Sequence, residues 1–380
     1  MSERIAEHVS NCIMCGKCLQ ACPLLKATGR EELGPRSKSD LCRVLAEDPG
    51  KLSEIEAARL AGLCMGCGRC REVCSQGQDV PGLVAALRAA HPNFKSWLWK
   101  TWLTRARQLW SPSAKAAGLV PERFRTEKLG PMLKMLAGMS GGPGLDPFLT
   151  PTSFPDTLRG EKLLLFAGCT ANFVQGRWLM AALRLLDGLG AEVLPGDFVC
   201  CGSGLKGAGF VEESTAMAER NVAVWRRAGR PRIAVFCASC LAGLRAYDCF
   251  ESEAESAQWA DSLLPLSVAV RGIEFVISGN VPERLGYHHP CHAGAEDPDR
   301  DFLRAVLGDR LSKVTDEQCC GFGGIMRLAA PGLTEPVNRQ CWDALKGADT
   351  VLSGCSACLA QLSATAPEGV EVGHWLETIR

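Results

Sequence analysis

The sequence lacks a charge surplus, a membrane-spanning stretch and a secretory leader. Its 42 basic and 42 acidic residues leave a formal net charge of zero, which argues against a nucleic-acid partner because such proteins carry a basic face. No run of about 18 apolar residues occurs, so no transmembrane span is expected. The opening residues, MSERIAEHVSNC, contain no apolar stretch of the signal-peptide type. These absences favour a cytoplasmic protein, with peripheral attachment to the inner face of the membrane through a partner as an alternative.

A nucleotide-binding fingerprint is also missing. No G-x-G-x-x-G stands between a predicted strand and a predicted helix, and that motif marks dinucleotide sites. The glycine-rich segment GFGGIM (321–326) lies inside a cysteine motif, so we interpret its glycines as packing at a cofactor. Two-electron oxidation of a substrate is therefore expected in a partner protein rather than in this chain.

Cysteine, by contrast, is abundant, at 21 of 380 residues. A disulfide framework is the plain alternative. It is disfavoured because the chain is long, has no leader and places its cysteines in tight C-x-x-C groups. In an intracellular chain such groups bind metal.

Two N-terminal runs have the spacing C-x2-C-x2-C-x3-C, which is typical of bacterial ferredoxins. In two-cluster ferredoxins the fourth cysteine of each run ligates the other run's cluster. This rule predicts two cubane 4Fe–4S clusters, one on Cys12, Cys15, Cys18 and Cys74, the other on Cys64, Cys67, Cys70 and Cys22. Zinc is the alternative, but it favours paired C-x-x-C or Cys/His groups. Pro23 follows the last cysteine of the first run, whereas Ser75 stands at the corresponding position of the second run. The predicted ligand Cys74 is present in that run all the same.

The rest of the chain contains an internal duplication. In each repeat a first cysteine, a Cys-Cys-Gly turn and a C-x-x-C group follow in the same order with nearly equal spacing. The ten cysteines are Cys169, Cys200, Cys201, Cys237 and Cys240 in the first repeat, and Cys291, Cys319, Cys320, Cys355 and Cys358 in the second. Each set exceeds the four corners of a cubane, which indicates an unusual cluster or one thiol kept for chemistry. A zinc site and a dithiol/disulfide pair are the alternatives.

The pattern around these cysteines predicts α/β units. Apolar runs such as KLLLFAGC (162–169), RIAVFCASC (232–240) and DTVLSGCSAC (349–358) end at cysteines, and helical segments follow. Ligands of parallel sheets bind beyond the carboxyl ends of the strands. Helices starting directly after the C-x-x-C groups would stabilise thiolates through their amino-terminal dipoles. Gly202 and Gly321 are expected to permit a sharp turn after each cysteine pair.

Other residues near these motifs have more than one interpretation. Three histidines flank Cys291, at 288, 289 and 292, and we interpret them as structural, with a proton relay and direct ligation as alternatives. Cys42, Cys249 and Cys341 are expected to be small core residues. The tryptophan-rich and basic segment 94–110 is expected to form helices that pack on this chain, dock a partner or lie on a membrane surface.

These motifs resemble those of the CCG cysteine-rich iron–sulfur family. That family includes catalytic subunits of heterodisulfide reductase and iron–sulfur subunits of FAD-linked glycolate and D-lactate dehydrogenases. The resemblance covers nearly the whole chain except about 91–160. It implies that the ten repeat cysteines hold two further, noncubane 4Fe–4S clusters. CCGFGG (319–324) and GHWLE (373–377) look most like the lactate and glycolate branch, whereas CMGCGRCREVC (64–74) looks more like heterodisulfide reductase.

The predicted fold class is therefore α+β with α/β units. We expect an N-terminal α-helical dicluster ferredoxin domain (1–90), a helical connector and Gly/Pro-rich linker (91–160), and two duplicated α/β CCG domains (161–280 and 281–380). The favoured function is an electron-transfer subunit that receives electrons from an FAD-containing 2-hydroxy-acid dehydrogenase and passes them to a quinone, a membrane or cytoplasmic redox complex, or another carrier. Alternatives are a heterodisulfide reductase-like catalytic subunit and a scaffold or metal-storage protein.

Overall fold

The computed structural model describes residues 12–47, 62–121, 144–279, 281–312 and 318–380, together with residues 53, 55, 56, 59, 133 and 136. The chain forms two compact units. The described residues of the first unit fall within Met1–Thr104, Ser203–Ser214 and Glu317–Ala344, and those of the second within Arg105–Gly202, Thr215–Asp316 and Leu345–Arg380. None of the described helices is long and apolar enough to cross a membrane.

The described residues of the first unit are helical, without strands. The helices are Lys17–Ala21, Pro23–Thr28, Pro35–Glu47, Arg69–Glu72, Val80–Ala90, Phe94–Thr104, Ser203–Lys206, Met326–Ala329 and Pro331–Ala344. Helix starts follow local chemistry: Pro23 occupies a first-turn position, and Asp79 accepts a hydrogen bond from the Gly82 amide at 3.2 Å. Leu24, Leu33 and Met326 are buried in one small apolar cluster of this unit, which holds its cysteine loops in place.

The second unit contains the sheets. Its strands are β1 (Leu149–Ser153), β2 (Lys162–Phe166), β3 (Glu192–Leu194), β4 (Arg232–Val235), β5 (Leu263–Pro265), β6 (Glu274–Ile277), β7 (Leu285–Tyr287), β8 (Thr350–Ser353) and β9 (Glu371–His374). One sheet is parallel with the order β3-β2-β4-β5, and a second is parallel with the order β7-β8-β9. Strands β1 and β6 form an antiparallel pair.

Helices cover these sheets. They are Ala106–Leu119, Gly168–Phe173, Gly176–Gly188, Ala238–Arg245, Glu253–Ser262, Leu266–Ala269, Pro298–Leu307 and Ser356–Thr365, and helix Val211–Arg227 lies for the most part in this unit. A single apolar core contains Leu163 of β2 and Leu352 of β8, both fully buried. The two sheets therefore share one core.

The duplication predicted from the sequence is visible in the sheets. Strand β2 pairs with β4, which pairs with β5, in the same order as β7, β8 and β9. On the other side of β7, where β3 would stand in the first sheet, an isolated bridge joins Leu285 to Leu311, and no named strand pairs with β7 there in the described part of the chain. The fold class predicted from the sequence, a helical N-terminal region followed by two parallel α/β domains, is confirmed.

The predicted helical connector and linker, 91–160, contains helices, as expected, and one strand that was not expected. Helices Phe94–Thr104 and Ala106–Leu119 follow one another with a break at Arg105, and strand β1 lies inside the predicted Gly/Pro-rich linker 138–160. Pro151 obscured that strand in the sequence. Proline is tolerated there because, among the described residues, β1 pairs with β6 alone apart from one isolated bridge at Leu149. Residues 122–132 and 137–143 of the connector, and residues 57, 58, 60 and 61 before the second cysteine run, lie outside the described residues.

Candidate iron–sulfur sites

The first unit gathers the eight ferredoxin-type cysteines around two small cavities. The cysteines lining the first cavity are Cys12, Cys15, Cys18, Cys70 and Cys74. Those lining the second are Cys22, Cys64, Cys67 and Cys70. The fourth cysteine of each run thus lies with cysteines of the other run, which is the grouping that crossed ligation requires. The ligand assignment itself stays a prediction.

Glycines in left-handed conformation shape both cysteine loops. Gly16 and Gly68 adopt φ values of +79° and +77° directly before the short helices Lys17–Ala21 and Arg69–Glu72. Only glycine adopts this conformation without strain. The Gly66 amide donates to Cys64 Sγ at 3.4 Å, and the Gln78 amide donates to Cys74 Sγ at 3.4 Å. Backbone donors therefore already point at sulfurs, as they would to stabilise thiolates.

The donor chemistry of this unit fits iron–sulfur clusters. Burial, followed by the charges of Cys64, Cys22 and Cys18, raises the pKa of Cys70 to about 12. Burial and the neighbouring thiolates of Cys12, Cys15 and Cys74 likewise raise the pKa of Cys18. Thiolates this close repel one another, and iron bound between them would remove that repulsion. A set of only sulfur ligands suits Fe–S clusters.

In the second unit, the five cysteines of the first repeat come together at the carboxyl ends of β2 and β4. Cys169 follows β2 and Cys237 follows β4, as predicted. Hydrogen bonds link the Cys200 thiol to Cys169 and Cys201, and the Cys240 thiol to Cys201 and Cys237. All five sulfurs thus form one connected group.

The helix of each C-x-x-C group begins earlier than predicted. Helix Ala238–Arg245 has Cys237 as its N-cap, and helix Ser356–Thr365 has Cys355 in the same role. The second cysteine of each group, Cys240 or Cys358, therefore lies in the first turn instead of before the helix. The N-cap residue has an extended backbone, and the second cysteine lies three residues later, one helical turn away. Both thiols of a group can therefore lie on the same side of the helix start.

The second repeat is divided between the two units. Cys319 and Cys320 are buried in the first unit, whereas Cys291, Cys355 and Cys358 lie in the second. In the second unit, the Cys355 thiol donates to Cys237 of the first repeat and accepts a hydrogen bond from the Cys358 thiol. Ser356 reinforces this junction, because its hydroxyl lies 3.3 Å from Cys237 Sγ.

The turns after the cysteine pairs form as the sequence predicts. Gly202 and Gly321 have φ values of +78° and +82°. At Gly321 a Cβ atom would lie only 2.8 Å from Cβ of Asn338, so a close approach as well as the turn requires glycine.

Two asparagines that sequence reasoning missed hold these turns. In the first repeat, buried Asn221 accepts a hydrogen bond from the Val199 amide at 2.9 Å and donates to the Cys200 carbonyl at 3.2 Å. In the second, Asn338 donates to the Cys320 carbonyl at 2.8 Å. Alignment of the two repeats would have revealed an asparagine at nearly the same distance after each pair. Tyr247 adds a bond from its hydroxyl to the Cys201 carbonyl at 3.2 Å.

The structure identifies contacts of two of the three histidines that flank Cys291, and the choice among the structural, proton-relay and ligand roles stays a prediction. His289 is buried, with Nε2 at 2.8 Å from the Gly294 carbonyl and Nδ1 at 3.2 Å from Asp297. Exposed His292 places Nδ1 3.6 Å from Cys291 Sγ. His374 of the GHWLE segment is fully buried, and its Nε2 lies 3.1 Å from the carbonyl of Phe236, next to Cys237. Burial lowers the pKa of His374 to about 4. At neutral pH its imidazole is therefore uncharged, and it contacts the backbone of the residue before Cys237.

Two of the three remaining cysteines are core residues. Cys42 and Cys341 are buried, and burial raises the pKa of Cys42 to about 11. Cys249 is half-buried and packs against the apolar cluster that contains Trp259.

Comparison with known protein families adds an independent line of evidence. A family described as a 4Fe-4S dicluster domain matches residues 8–78, and a family described as a cysteine-rich domain, CCG, matches 163–245 and again 285–363. The chain carries a 4Fe-4S dicluster domain and two CCG cysteine-rich domains. Its two CCG domains are the two cysteine repeats, and its dicluster domain carries the two ferredoxin-type runs.

Relatives of the CCG protein come from archaea and bacteria. It is 27% identical to a subunit of the fumarate reductase (CoM/CoB) of Methanothermobacter marburgensis, over 93% of this chain and 67% of the relative. It is 25% identical to a subunit of the dihydromethanophenazine:CoB–CoM heterodisulfide reductase of Methanosarcina acetivorans, over 93% and 88%. It is 24% identical to the glycolate oxidase iron-sulfur subunit of Escherichia coli, over 97% and 92%. The resemblance to both branches of the family is confirmed, and each of these relatives is a subunit of an oxidoreductase.

Proposed function

We propose that this chain is an electron-transfer subunit, which passes electrons from an FAD-containing dehydrogenase of 2-hydroxy acids such as lactate or glycolate to a quinone or another carrier. The observation that carries the proposal is that, within each unit, each group of cysteines lies next to another group. Two cubane and two noncubane 4Fe–4S clusters on the 18 motif cysteines would supply one-electron storage at these sites.

In the first unit, the succession runs from the dicluster region to the second repeat. Cys70 lines both cavities. Cys67 packs in the same apolar cluster as Cys319, and burial, followed by the charge of Cys319, raises the pKa of Cys67. Ligands of neighbouring sites are therefore adjacent, which supports electron passage from the second cavity toward the second repeat.

In the second unit, the succession continues between the repeats. Cys237 Sγ accepts hydrogen bonds from the Cys240 and Cys355 thiols, and the Ala238 amide donates to the Gly354 carbonyl at 2.8 Å. These contacts join the C-x-x-C groups of the two repeats. They support electron passage between the cysteine groups of the two repeats within this unit.

Reduction of a disulfide is the second candidate function. It is favoured by the match to the heterodisulfide reductase relative, which spans 93% of this chain and 88% of the relative, and by the connected group of five cysteines in the first repeat. There Cys200 and Cys201 would be the first residues to examine, because five cysteines exceed the four corners of one cluster.

Activity of the anaerobically purified chain distinguishes the candidates. An electron-transfer subunit should not oxidise lactate or glycolate with an artificial acceptor until a flavin dehydrogenase partner, identified by pull-down, is added. Turnover of a hydroxy acid by the isolated chain would contradict the first proposal. Oxidation of reduced viologen by a disulfide, abolished by Cys200→Ser or Cys201→Ser, would place disulfide reduction first.

A further inference from the structure

Lys38 is unusual among the cations of this protein. It lies on helix Pro35–Glu47 and is only 2% exposed, and among the described residues it is the only buried lysine or arginine. Burying an ammonium group is costly unless an opposite charge lies nearby. The observed hydrogen bonds go to neutral groups, since Nζ donates to the carbonyl of Leu33 and, at 3.3 Å, to that of Gly34.

The second cavity offers groups whose negative charge could compensate that of Lys38. Lys38 lines that cavity together with Cys22, Cys64, Cys67 and Cys70, and no Asp or Glu in the described part of the chain is paired with it. Burial lowers the pKa of Lys38, and the charges of Cys64, Cys22 and Cys70 oppose that effect. The ammonium therefore faces sulfurs that would be anionic when bound to iron.

Among the described residues that line the first cavity, none is a buried lysine or arginine. Its lysine is Lys17, which is exposed, and Arg36 beside it is half-buried. Water and salt screen the charge of an exposed lysine strongly, whereas a buried charge is screened much less. The two ferredoxin-type sites thus differ in electrostatic surroundings, although their cysteine spacing is the same.

We propose that Lys38 tunes the reduction potential of the site formed by Cys22, Cys64, Cys67 and Cys70. Gain of an electron makes that site more negative, and a fixed buried cation stabilises the reduced state more than the oxidised state. Lys38 therefore raises the potential of this site, and favours residence of an electron next to Cys319 and the second repeat. The inference rests on the proposed ligand assignment. The iron content of each variant tests whether the cluster is bound, and the reduction potential tests the effect of Lys38 on it.

The direct test is a redox titration of the full-length holoprotein, followed by low-temperature EPR. Lys38→Gln removes the charge but keeps donors for the Leu33 and Gly34 carbonyls. We expect at least a tenfold fall in the equilibrium constant for reduction of this cluster, a downward shift of about 59 mV for one electron. A Cys15→Ser background, which removes a ligand of the other cluster, assigns the signal that moves.

Two controls separate charge from packing. Lys38→Arg keeps a positive charge and should keep the potential near the wild-type value, whereas Lys17→Gln removes an exposed charge at the first cavity. The shift in Lys38→Gln should persist in high salt, and any shift in Lys17→Gln should vanish there.

Three outcomes would overturn the proposal: an unchanged potential in Lys38→Gln with full iron content, equal shifts of both ferredoxin-type clusters, or loss of iron from Lys38→Arg as well as from Lys38→Gln. Loss of iron from Lys38→Gln alone would support it, because the charge would then be needed even to hold the cluster.

Discussion

At the scale of single residues, the cysteine sites depend on side chains that are not ligands. The Cys-Cys-Gly turn of the first repeat is held by Asn221, and the matching turn of the second by Asn338. Such carbonyl anchors fix where both sulfurs of a pair point. Loss of a side chain that orients a metal ligand typically lowers metal affinity about 10- to 100-fold.

Replacement of Asn221 should therefore weaken the first repeat. Asn221→Leu has a similar volume but leaves the Val199 amide and the Cys200 carbonyl without their partner. An unsatisfied buried polar group costs about 1–3 kcal/mol, so we expect a lower melting temperature and loss of iron from one site. Asn338→Leu is the matched variant, and should remove iron from the other repeat. Full iron content in Asn221→Leu would show that the turn holds without this anchor.

Crossed ligation makes a second prediction at this scale. Because Cys74 lines the cavity with Cys12, Cys15 and Cys18, Cys74→Ser should damage that cluster and spare the one on Cys64, Cys67 and Cys70. EPR of the reduced protein measures each signal. Cys22→Ser is the reciprocal control, and should damage the Cys64–Cys70 cluster. Signal loss confined to the Cys64–Cys70 cluster in Cys74→Ser would show that each run binds its own cluster.

At the scale of elements, packing of helices around the first CCG domain depends on one buried carboxylate. Glu255 of helix Glu253–Ser262 receives two bonds from Arg226 of helix Val211–Arg227, at 2.7 and 2.6 Å, and one from Arg230 at 3.0 Å. The Arg226 guanidinium, and then the Glu251 amide, lower the pKa of Glu255 to about 2. This fork joins the two helices.

Glu255→Gln should reduce the free energy of unfolding by roughly 2 kcal/mol, because bonds to a charged group contribute about 1.5–3 kcal/mol. A carboxyl group with a lowered folded-state pKa contributes fully above its unfolded-state value and loses that contribution as the pH falls toward about 2. The difference between the two proteins in denaturant titrations should thus be constant from about pH 8 to pH 6. Glu253→Gln, on the exposed first turn of the same helix, is the control and should change little. A difference that grows or shrinks across this range would contradict the ionic account.

The tryptophan-rich segment shows how helices can be predicted while their contacts are not. Trp99, at predicted helical spacing, is buried against Ala208 and Ile325, and its Nε1 donates to the Gly204 carbonyl at 3.0 Å. Packing on this chain therefore accounts for Trp99. Trp97 is 55% exposed, and docking of a partner or a membrane at that residue stays a prediction.

At the scale of the whole molecule, the number of clusters is the decisive quantity. Eighteen motif cysteines in four groups should bind about sixteen irons per chain when every group holds a four-iron cluster. Anaerobic purification followed by iron, sulfide and zinc analysis measures this directly. About eight irons with zinc in the remainder would restrict electron transfer to the dicluster region. A four-iron cluster in each of the four cysteine groups would make an electron path through both CCG domains possible.

Local sequence patterns were enough to predict the candidate ligands, the duplication and the order of most strands and helices. A spacing of two residues brings thiolates together through the backbone alone, and an apolar run before a cysteine indicates a strand that ends at a site. The short strand β1 escaped prediction because proline masks the pattern.

The meeting of distant groups, in contrast, became visible only in the folded chain. Cys237 meets Cys355, Asn221 reaches the Cys200 carbonyl, and Lys38 is buried beside four cysteines. None of these contacts follows from spacing, because each depends on how apolar faces are buried against one another over long stretches of chain. Burial is also what gives Lys38 its proposed influence, since the same charge in water would be screened.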